Sequence, residues 1–206
     1  MYPVKTPKFV QSLFPTFTWN VPSSEKVLYL TFDDGPIPEV TPWVLKELAQ
    51  HHAQATFFCV GENAKKYPTI FEELHQAGHG VGNHTYNHLD GWRTDNIKYF
   101  HNIRHCRSLV KSNLFRPPYG HLKPKQAQFL QRHYHVVMWD VLSGDFDLKL
   151  TKEKCFENVV RYATNGSIIV FHDSQKAKER LMYALPRTLE HFSLLGFTFS
   201  ALKPSL

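Results

Sequence analysis

The strongest constraint on the fold is the regular alternation of short apolar segments with longer amphipathic segments along almost the whole chain. The short segments predict seven buried strands, at residues 27–32, 55–60, 80–83, 114–116, 135–141, 167–171 and 197–202. Helices are predicted between them; Thr41 and Pro42 begin the first, and Pro186 is expected to break the last. Such alternation is typical of a parallel sheet covered by helices, either open or closed into a barrel.

The length of 206 residues predicts one domain, at residues 26–206, preceded by an accessory segment at residues 1–25. This segment contains no candidate catalytic group, and its large apolar side chains are expected to pack on the domain: Phe9, Leu13, Phe14, Phe17 and Trp19. Its attachment to a membrane surface is the alternative. Because no signal peptide is visible, a cytoplasmic location is expected by default. An extracytoplasmic one stays open if a leader has been removed.

The charge and the cysteines exclude some classes of protein. The formal charge is +6, but Lys and Arg are scattered and no nucleic-acid-binding motif occurs, so a nucleic-acid partner is not expected. The three cysteines, Cys59, Cys106 and Cys155, lie far apart and form no CxxC motif. They are expected to be packed, reduced thiols.

Polar residues follow five of the predicted strands. They are Asp33 and Asp34, His84 and His88, Arg116 and Tyr119, Asp145, and His172 and Asp173. In barrels and open α/β sheets, ligands bind at the carboxyl ends of strands. We therefore expect these groups to converge in one cleft.

Histidine spacing within this set indicates a metal. Asp33-Asp34-Gly35 alone is more typical of a turn than of a site. His84 and His88, however, are four residues apart, so on one face of a helical turn they would bind one metal together with a carboxylate. Two nitrogens and one oxygen suit Zn²⁺ with a position left for water. A second pair, His101 and His105, lies within a basic helix without a carboxylate nearby, and we expect it to be exposed or packed.

Five segments in order resemble the motifs of the polysaccharide deacetylase family, also called the NodB-homology domain or carbohydrate esterase family 4. They are TFDDGP (31–36), HTYNH (84–88), RPPYG (116–120), WDVLSGDF (139–146) and IIVFHD (168–173). The resemblance covers residues 26–202. It implies a distorted, incomplete (β/α) barrel with about seven parallel strands, and removal of acetyl groups from sugars such as N-acetylglucosamine in chitin or peptidoglycan.

The resemblance also implies roles for single residues. Asp33 would be the general base, positioned by Arg116. A divalent metal, expected to be Zn²⁺ with Co²⁺, Ni²⁺ or Mn²⁺ as alternatives, would be bound by three ligands: Asp34, His84 and His88. His172 would be the general acid, with Asp145 pairing nearby groups. Tyr119 would offer its backbone N–H to the oxyanion.

The sequence departs from the family pattern at three positions. Leu89 stands where proline usually follows the histidine motif, and Leu142 and Phe146 replace an aspartate and a tryptophan of the fourth motif. These changes affect the expected specificity rather than the ligands, the base or the acid. Two other functions stay open: a metal-dependent amidase acting on a small or cyclic amide, and a non-catalytic carbohydrate-binding protein on the same fold.

Overall fold

The computed structural model describes residues 2–203, in which strands and helices alternate as predicted. The strands are β1 (Val27–Asp33), β2 (Ala55–Cys59), β3 (Gly80–Asn83), β4 (Leu114–Phe115), β5 (His135–Val136), β6 (Val141–Leu142), β7 (Ile168–His172) and β8 (Thr198–Phe199). The helices are α1 (Lys8–Leu13), α2 (Thr41–Gln50), α3 (Gly61–Lys66), α4 (Pro68–Gln76), α5 (Asn96–Val110), α6 (Pro124–Leu130), α7 (Lys152–Tyr162) and α8 (Lys178–Leu194), and a 3-10 turn covers Pro118–Gly120.

The named strands form one curled sheet, and all their ladders are parallel. The spatial order is β5, β4, β3, β2, β1, β7, β6, and β8 pairs with the beginning of β1. The two strands at the ends of this order, β5 and β6, are joined in the chain by residues 137–140 alone. The sheet therefore curls towards a ring, and the fold is the predicted distorted, incomplete (β/α) barrel.

The prediction of one continuous strand at 135–141 is wrong, because this segment forms the two short strands β5 and β6. Its beginning pairs with β4, where Val137 donates its backbone N–H to the Phe115 carbonyl over 2.8 Å. Its end pairs with β7, where Asp140 donates to the Ile168 carbonyl over 3.0 Å. The segment crosses from one neighbour to the other, so its middle leaves the regular ladder.

Side chains of β1 alternate between two layers of the core, as the two-residue period of a strand requires. Leu28, Leu30 and Phe32 are fully buried in the outer layer, under the helices. The Phe32 ring lies between those of Phe57 and Phe171, at centroid separations of 4.9 and 6.1 Å. Burying such a ring contributes roughly 1.5–3 kcal/mol. The outer layer therefore stabilises the barrel, while Thr31 and Asp33 face inward, where both contact Arg116.

Residues 2–25 run along the barrel where β5 and β6 separate. Thr18 donates its backbone N–H to the Val136 carbonyl and accepts from Met138, over 2.9 and 2.8 Å. Phe17 and Trp19 are buried, as expected. The expectation is wrong for three other side chains, because α1 lies on the surface with no residue buried and leaves them exposed: Phe9, Leu13 and Phe14. The division of the chain at residue 25 stays a prediction.

One helical prediction is wrong, and one helix is missing from the predictions. The last helix, α8, continues through Pro186 without a break, because Leu181, Leu185 and Leu189 are fully buried on its inner face and hold both halves in place. Helix α3 was not predicted, since a helix of six residues with only Gly61 and Ala64 buried shows too little periodicity.

Two further properties concern the described residues, 2–203. Their helices are too short or too polar for any to cross a bilayer. Cys59, Cys106 and Cys155 are buried, unpaired thiols, as the sequence predicts.

Candidate active site

The predicted site residues converge at the carboxyl ends of the strands. Asp33 ends β1 and is the register partner of His172, which ends β7. Arg116 follows β4 and contacts Asp33, while its carbonyl contacts the ring of His84 after β3. All of these groups therefore lie at one mouth of the barrel.

Asp33 and Arg116 form a buried ion pair inside that mouth. Arg116 is fully buried and donates from Nη1 to Asp33 Oδ1 and to Thr31 Oγ1, over 2.8 and 2.7 Å. Its Nε and Nη2 donate to the carbonyls of Val137 and Met138. Burial lowers the pKa of the guanidinium, while the adjacent carboxylate opposes that shift. With carboxylate and carbonyl partners, a buried arginine stays charged and holds Asp33 in one orientation.

Asp34 follows the last residue of β1, and its carboxylate lies close to two histidines. Its backbone has φ 86°, in the left-handed region, and its carbonyl accepts from Asn63 Nδ2 over 2.8 Å. Burial opposes ionisation, but the neighbouring His88 and His172 bring the pKa of the Asp34 carboxyl below its usual range. The Asp34 side chain is therefore an anion directed at histidines.

His84 is buried and held in one tautomer. Its Nδ1 donates to the Arg116 carbonyl over 2.8 Å, which leaves Nε2 unprotonated and able to bind a metal. Burial lowers the pKa of this imidazole to about 4. His84 is thus a neutral imidazole at physiological pH.

His88 reaches the same place from a loop. The expectation that His84 and His88 share a helical turn is wrong, because residues 84–88 form an irregular bend in which Thr85 and His88 have φ 62° and 53°. Asn83 Oδ1 accepts from the Thr85 N–H over 2.9 Å, and Asn102 Oδ1 accepts from the Tyr86 N–H over 2.7 Å. These side chains hold the bend in place of helical hydrogen bonds.

The three predicted ligands fit a metal. Ligand atoms of Asp34, His84 and His88 lie within 4.8 Å of one another, and within residues 2–203 no other such group of His, Cys, Asp or Glu is found. Asp34 Oδ1 lies 3.2 Å from His88 Nε2 and 3.8 Å from His84 Nε2. This oxygen is buried and has no hydrogen-bond partner among the described residues. Two imidazoles and one carboxylate oxygen without a hydrogen-bond partner among the described residues are a donor set that suits a divalent transition metal.

His172 forms the second ion pair of the mouth. Its Nδ1 and its backbone N–H both donate to the carboxylate of Asp145, each over 2.8 Å. Arg180 donates from Nε to the Asp145 carbonyl over 2.6 Å and so fixes the loop that carries it. Burial opposes protonation, but the Asp145 carboxylate raises the pKa of the imidazole to about 9. His172 is therefore an acid that carries its proton at neutral pH.

Aromatic rings flank the two halves of the site. The Tyr119 ring meets that of His88 edge-on at 4.8 Å, and the Phe146 ring meets that of His172 edge-on at 5.1 Å. Tyr2, from the N-terminal segment, lies 5.0 Å from Phe146 between ring centroids. The position at which the family pattern has tryptophan is thus shared by Phe146 and Tyr2.

The other two departures from the family pattern lie in apolar surroundings. Leu142 is buried in β6 and is the register partner of Val170 in β7. Leu89 is half-buried and packs against the cluster around Tyr99 and Phe115.

Sequence reasoning missed the role of Asp173. Its carboxylate is fully buried and accepts from the Gly35 N–H and the Thr41 hydroxyl, over 3.0 and 2.6 Å. Burial raises the pKa of this carboxyl to about 8. Asp173 therefore fixes the turn that carries Asp34. The sequence feature that could have indicated this role is the position of Asp173 directly after His172.

The second histidine pair lies outside the candidate metal group. His105 stacks on Tyr86 at 3.8 Å, and His101 lines a cavity of about 400 Å³ between α5 and α6. Neither belongs to the metal-binding group.

Comparison with known proteins identifies the family. The family model for polysaccharide deacetylases matches residues 20–137, more than half of the chain. A peptidoglycan-N-acetylglucosamine deacetylase from Bacillus cereus is 34% identical over 191 residues, which is 88% of this chain and 89% of the relative. A chitooligosaccharide deacetylase from Azorhizobium caulinodans is 32% identical over 174 residues, which is 80% of this chain and 81% of the relative.

A solved structure shares the fold over nearly the full length. It is a peptidoglycan N-acetylglucosamine deacetylase in complex with 4-naphthalen-1-yl-N-oxidanyl-benzamide. The TM-score is 0.87 at 29% identity, over 96% of this chain and 95% of that one. Barrel and matches together define a hydrolase of the carbohydrate esterase class. The chain belongs to the polysaccharide deacetylase family, and it is a carbohydrate deacetylase as the five motifs predict.

Proposed function

We propose that this protein is a metal-dependent N-deacetylase acting on N-acetylglucosamine units of a glycan, with peptidoglycan as the first candidate substrate. The observation that carries the proposal is one barrel mouth with three parts. A carboxylate held by a buried arginine and an imidazolium held by a carboxylate accompany a three-donor metal set.

Three side chains would hold the metal: Asp34, His84 and His88. When bound there, a divalent metal would polarise the acetyl carbonyl and lower the pKa of water to about 7. Two nitrogens and one oxygen favour Zn²⁺, with Co²⁺, Ni²⁺ or Mn²⁺ as alternatives. Asp34 Oδ1, which lacks a hydrogen-bond partner among the described residues, supports this assignment.

Asp33 would take the proton of the attacking water. Arg116 holds Oδ1 of this carboxylate over 2.8 Å, so the base needs no reorientation when the substrate arrives. The backbone N–H of Tyr119 would donate to the oxygen of the tetrahedral centre, an interaction worth about 3 kcal/mol in comparable sites.

His172 would protonate the amide nitrogen as the carbon–nitrogen bond breaks. Its pKa of about 9, set by Asp145 against the effect of burial, keeps it protonated at neutral pH. An amine is a poor leaving group until it is protonated, so this proton is required. The products are acetate and a free amino sugar.

The name of the Bacillus cereus relative supports the choice of substrate. We expect acetate release from purified peptidoglycan and from N-acetylglucosamine oligomers, abolished by a chelator and restored by Zn²⁺. A panel of small and cyclic amides serves as the control. Release from the small amides alone would replace the proposal with an amidase. Sugar binding without acetate release in the presence of each candidate metal would replace it with a non-catalytic binding protein.

A further inference from the structure

A row of aromatic rings runs from the metal site onto the surface. Tyr119 packs edge-on against His88 at 4.8 Å and lies 5.7 Å from the ring of His121. His121 in turn stacks face to face on Trp92 at 3.7 Å, with 6° between the ring planes. Trp92 and Tyr119 are 58% and 60% exposed. Large apolar rings left open beside a reaction site are typical of a ligand-binding surface.

This row, which we name the aromatic row (Tyr119, His121 and Trp92), is held in place by buried and half-buried partners. The carboxylate oxygen Oδ1 of Asp90 accepts from the Trp92 backbone N–H and from His121 Nδ1, over 2.9 and 3.1 Å. Trp92 Nε1 donates to the Leu122 carbonyl over 3.1 Å. The exposed indole therefore has a fixed orientation without any ligand.

The backbone beneath the row is fixed as well. Gln126 is fully buried, and its Nε2 donates to the Gly91 carbonyl over 3.0 Å. A side chain on Gly91 would collide with the His121 carbonyl, so the two loops approach as closely as backbone permits. Loop 90–94 and segment 121–126 thus form one rigid support.

We propose that the aromatic row is a subsite for a sugar unit further along the glycan than the one that is deacetylated, with the face of the pyranose ring stacked on Trp92. This inference rests on the proposed function. The carbon–hydrogen face of a pyranose is apolar and flat, while its rim carries hydroxyl groups. It therefore matches an exposed ring whose surroundings are polar, with Arg93 and Asp90 beside it.

The continuity of the row with the reaction site sets the geometry of the substrate. His88, a proposed metal ligand, contacts the first ring, and Trp92 is the last. One sugar bound at the metal cannot cover the whole row, so only a polymer or oligomer gains from it. The row would therefore select chain length rather than the acetyl group.

The test compares N-acetylglucosamine oligomers of increasing length as substrates, with kcat/KM measured by acetate release. For the wild-type protein, kcat/KM is expected to rise once the oligomer is long enough to reach Trp92. In Trp92→Ala, kcat/KM for the long oligomers should be roughly tenfold lower than in the wild type, mainly through a higher KM. Trp92→Tyr should keep most of the rise with length. Phe9→Ala is the matched control, because it removes an equally exposed ring on α1 and leaves the rise unchanged.

The outcomes separate this inference from the proposed function. If the wild-type protein released acetate with the expected length dependence and Trp92→Ala showed the same dependence, the subsite would be refuted and the function would stand. If no oligomer or peptidoglycan released acetate, the proposed function would fail first. A small fall in the melting temperature of Trp92→Ala is expected, because the variant loses the stack on His121 and the hydrogen bond to the Leu122 carbonyl while the rest of the ring is exposed.

Discussion

The groups proposed to move protons and the groups proposed to bind the metal reach the same mouth by different backbone routes. Asp33 and His172 end regular strands and are fixed by buried partners, Arg116 and Asp145. Asp34 and His88 instead lie in left-handed backbone, which costs about 1–3 kcal/mol per residue and persists only where the surroundings impose it. The acid and base are thus organised without a metal, whereas the ligand set keeps an unpartnered oxygen that a cation would satisfy.

The largest effect is expected from removing that oxygen. In Asp34→Ala, bound metal and acetate release should fall together to background, because two imidazoles alone form an incomplete site. Metal stoichiometry of the purified variant and acetate release measure this. Glu72→Ala removes an exposed carboxylate from α4 and is the control. Retention of one metal per chain in Asp34→Ala would contradict the ligand assignment.

The adjacent aspartate should behave differently, which tests the comparison most directly. Asp33→Asn keeps the shape of the side chain and all three ligands, so we expect a full complement of metal. The rate of acetate release should fall by about 10²–10⁴ through loss of the base. If Asp33→Asn lost its metal while Asp34→Ala kept it, the two roles would be reversed.

A smaller loss of rate, roughly 10- to 100-fold, is expected for Asp145→Asn. The Asp145 carboxylate raises the pKa of His172 from 6.5 to about 9 despite burial, so the pair stabilises the fold fully below about pH 6.5. That stabilisation is lost as pH rises through 9. In metal-free protein, the difference in unfolding free energy between wild type and Asp145→Asn should therefore narrow over this window.

Denaturant unfolding in a chelator at several pH values measures the effect. The comparison with Asp145→Asn is needed because Asp173, whose pKa burial raises to about 8, also titrates in this range and is common to both proteins. A difference that stays constant from pH 6 to 10 would show that Asp145 does not control the protonation of His172.

The smallest effect is expected where the Phe146 ring meets the Tyr2 ring. In Phe146→Trp, the larger ring meets Tyr2, whose ring lies 5.0 Å away, so stability should fall by about 1 kcal/mol and KM should change by less than about threefold. Tyr2→Ala combined with Phe146→Trp should restore stability. A gain in stability from Phe146→Trp alone would mean that Tyr2 does not share this position.

The part of the site that lies on strands was predictable from the sequence. Parallel strands bring their carboxyl ends to one edge, which places Asp33 beside His172. The bend that carries His88 could not be predicted from the sequence, since a spacing of four residues suggests a helix. The actual path depends on distant side chains, Asn83 and Asn102. Local spacing contains no information about such partners.

The segment that closes the barrel, residues 135–141, could not be predicted correctly from the sequence either. A single apolar run predicts one strand at 135–141, but its two ends pair with strands that are far apart in the sequence. The pairing of Thr18 beside this run depends on contacts that no periodicity shows. The aromatic row escaped prediction for the same reason, because Trp92 and His121 meet only in the folded chain.

Arg116 joins the base to the backbone at the place where the barrel closes. One guanidinium holds Asp33 and also the carbonyls of Val137 and Met138. Removing the Arg116 side chain would leave a buried carboxylate and two buried carbonyls without their donor. This would lower the free energy of unfolding by about 3–5 kcal/mol. Arg116 therefore has two duties, and a variant that lacks it would lose folding stability as well as the orientation of the base. A loss of activity in such a variant could not be assigned to catalysis alone.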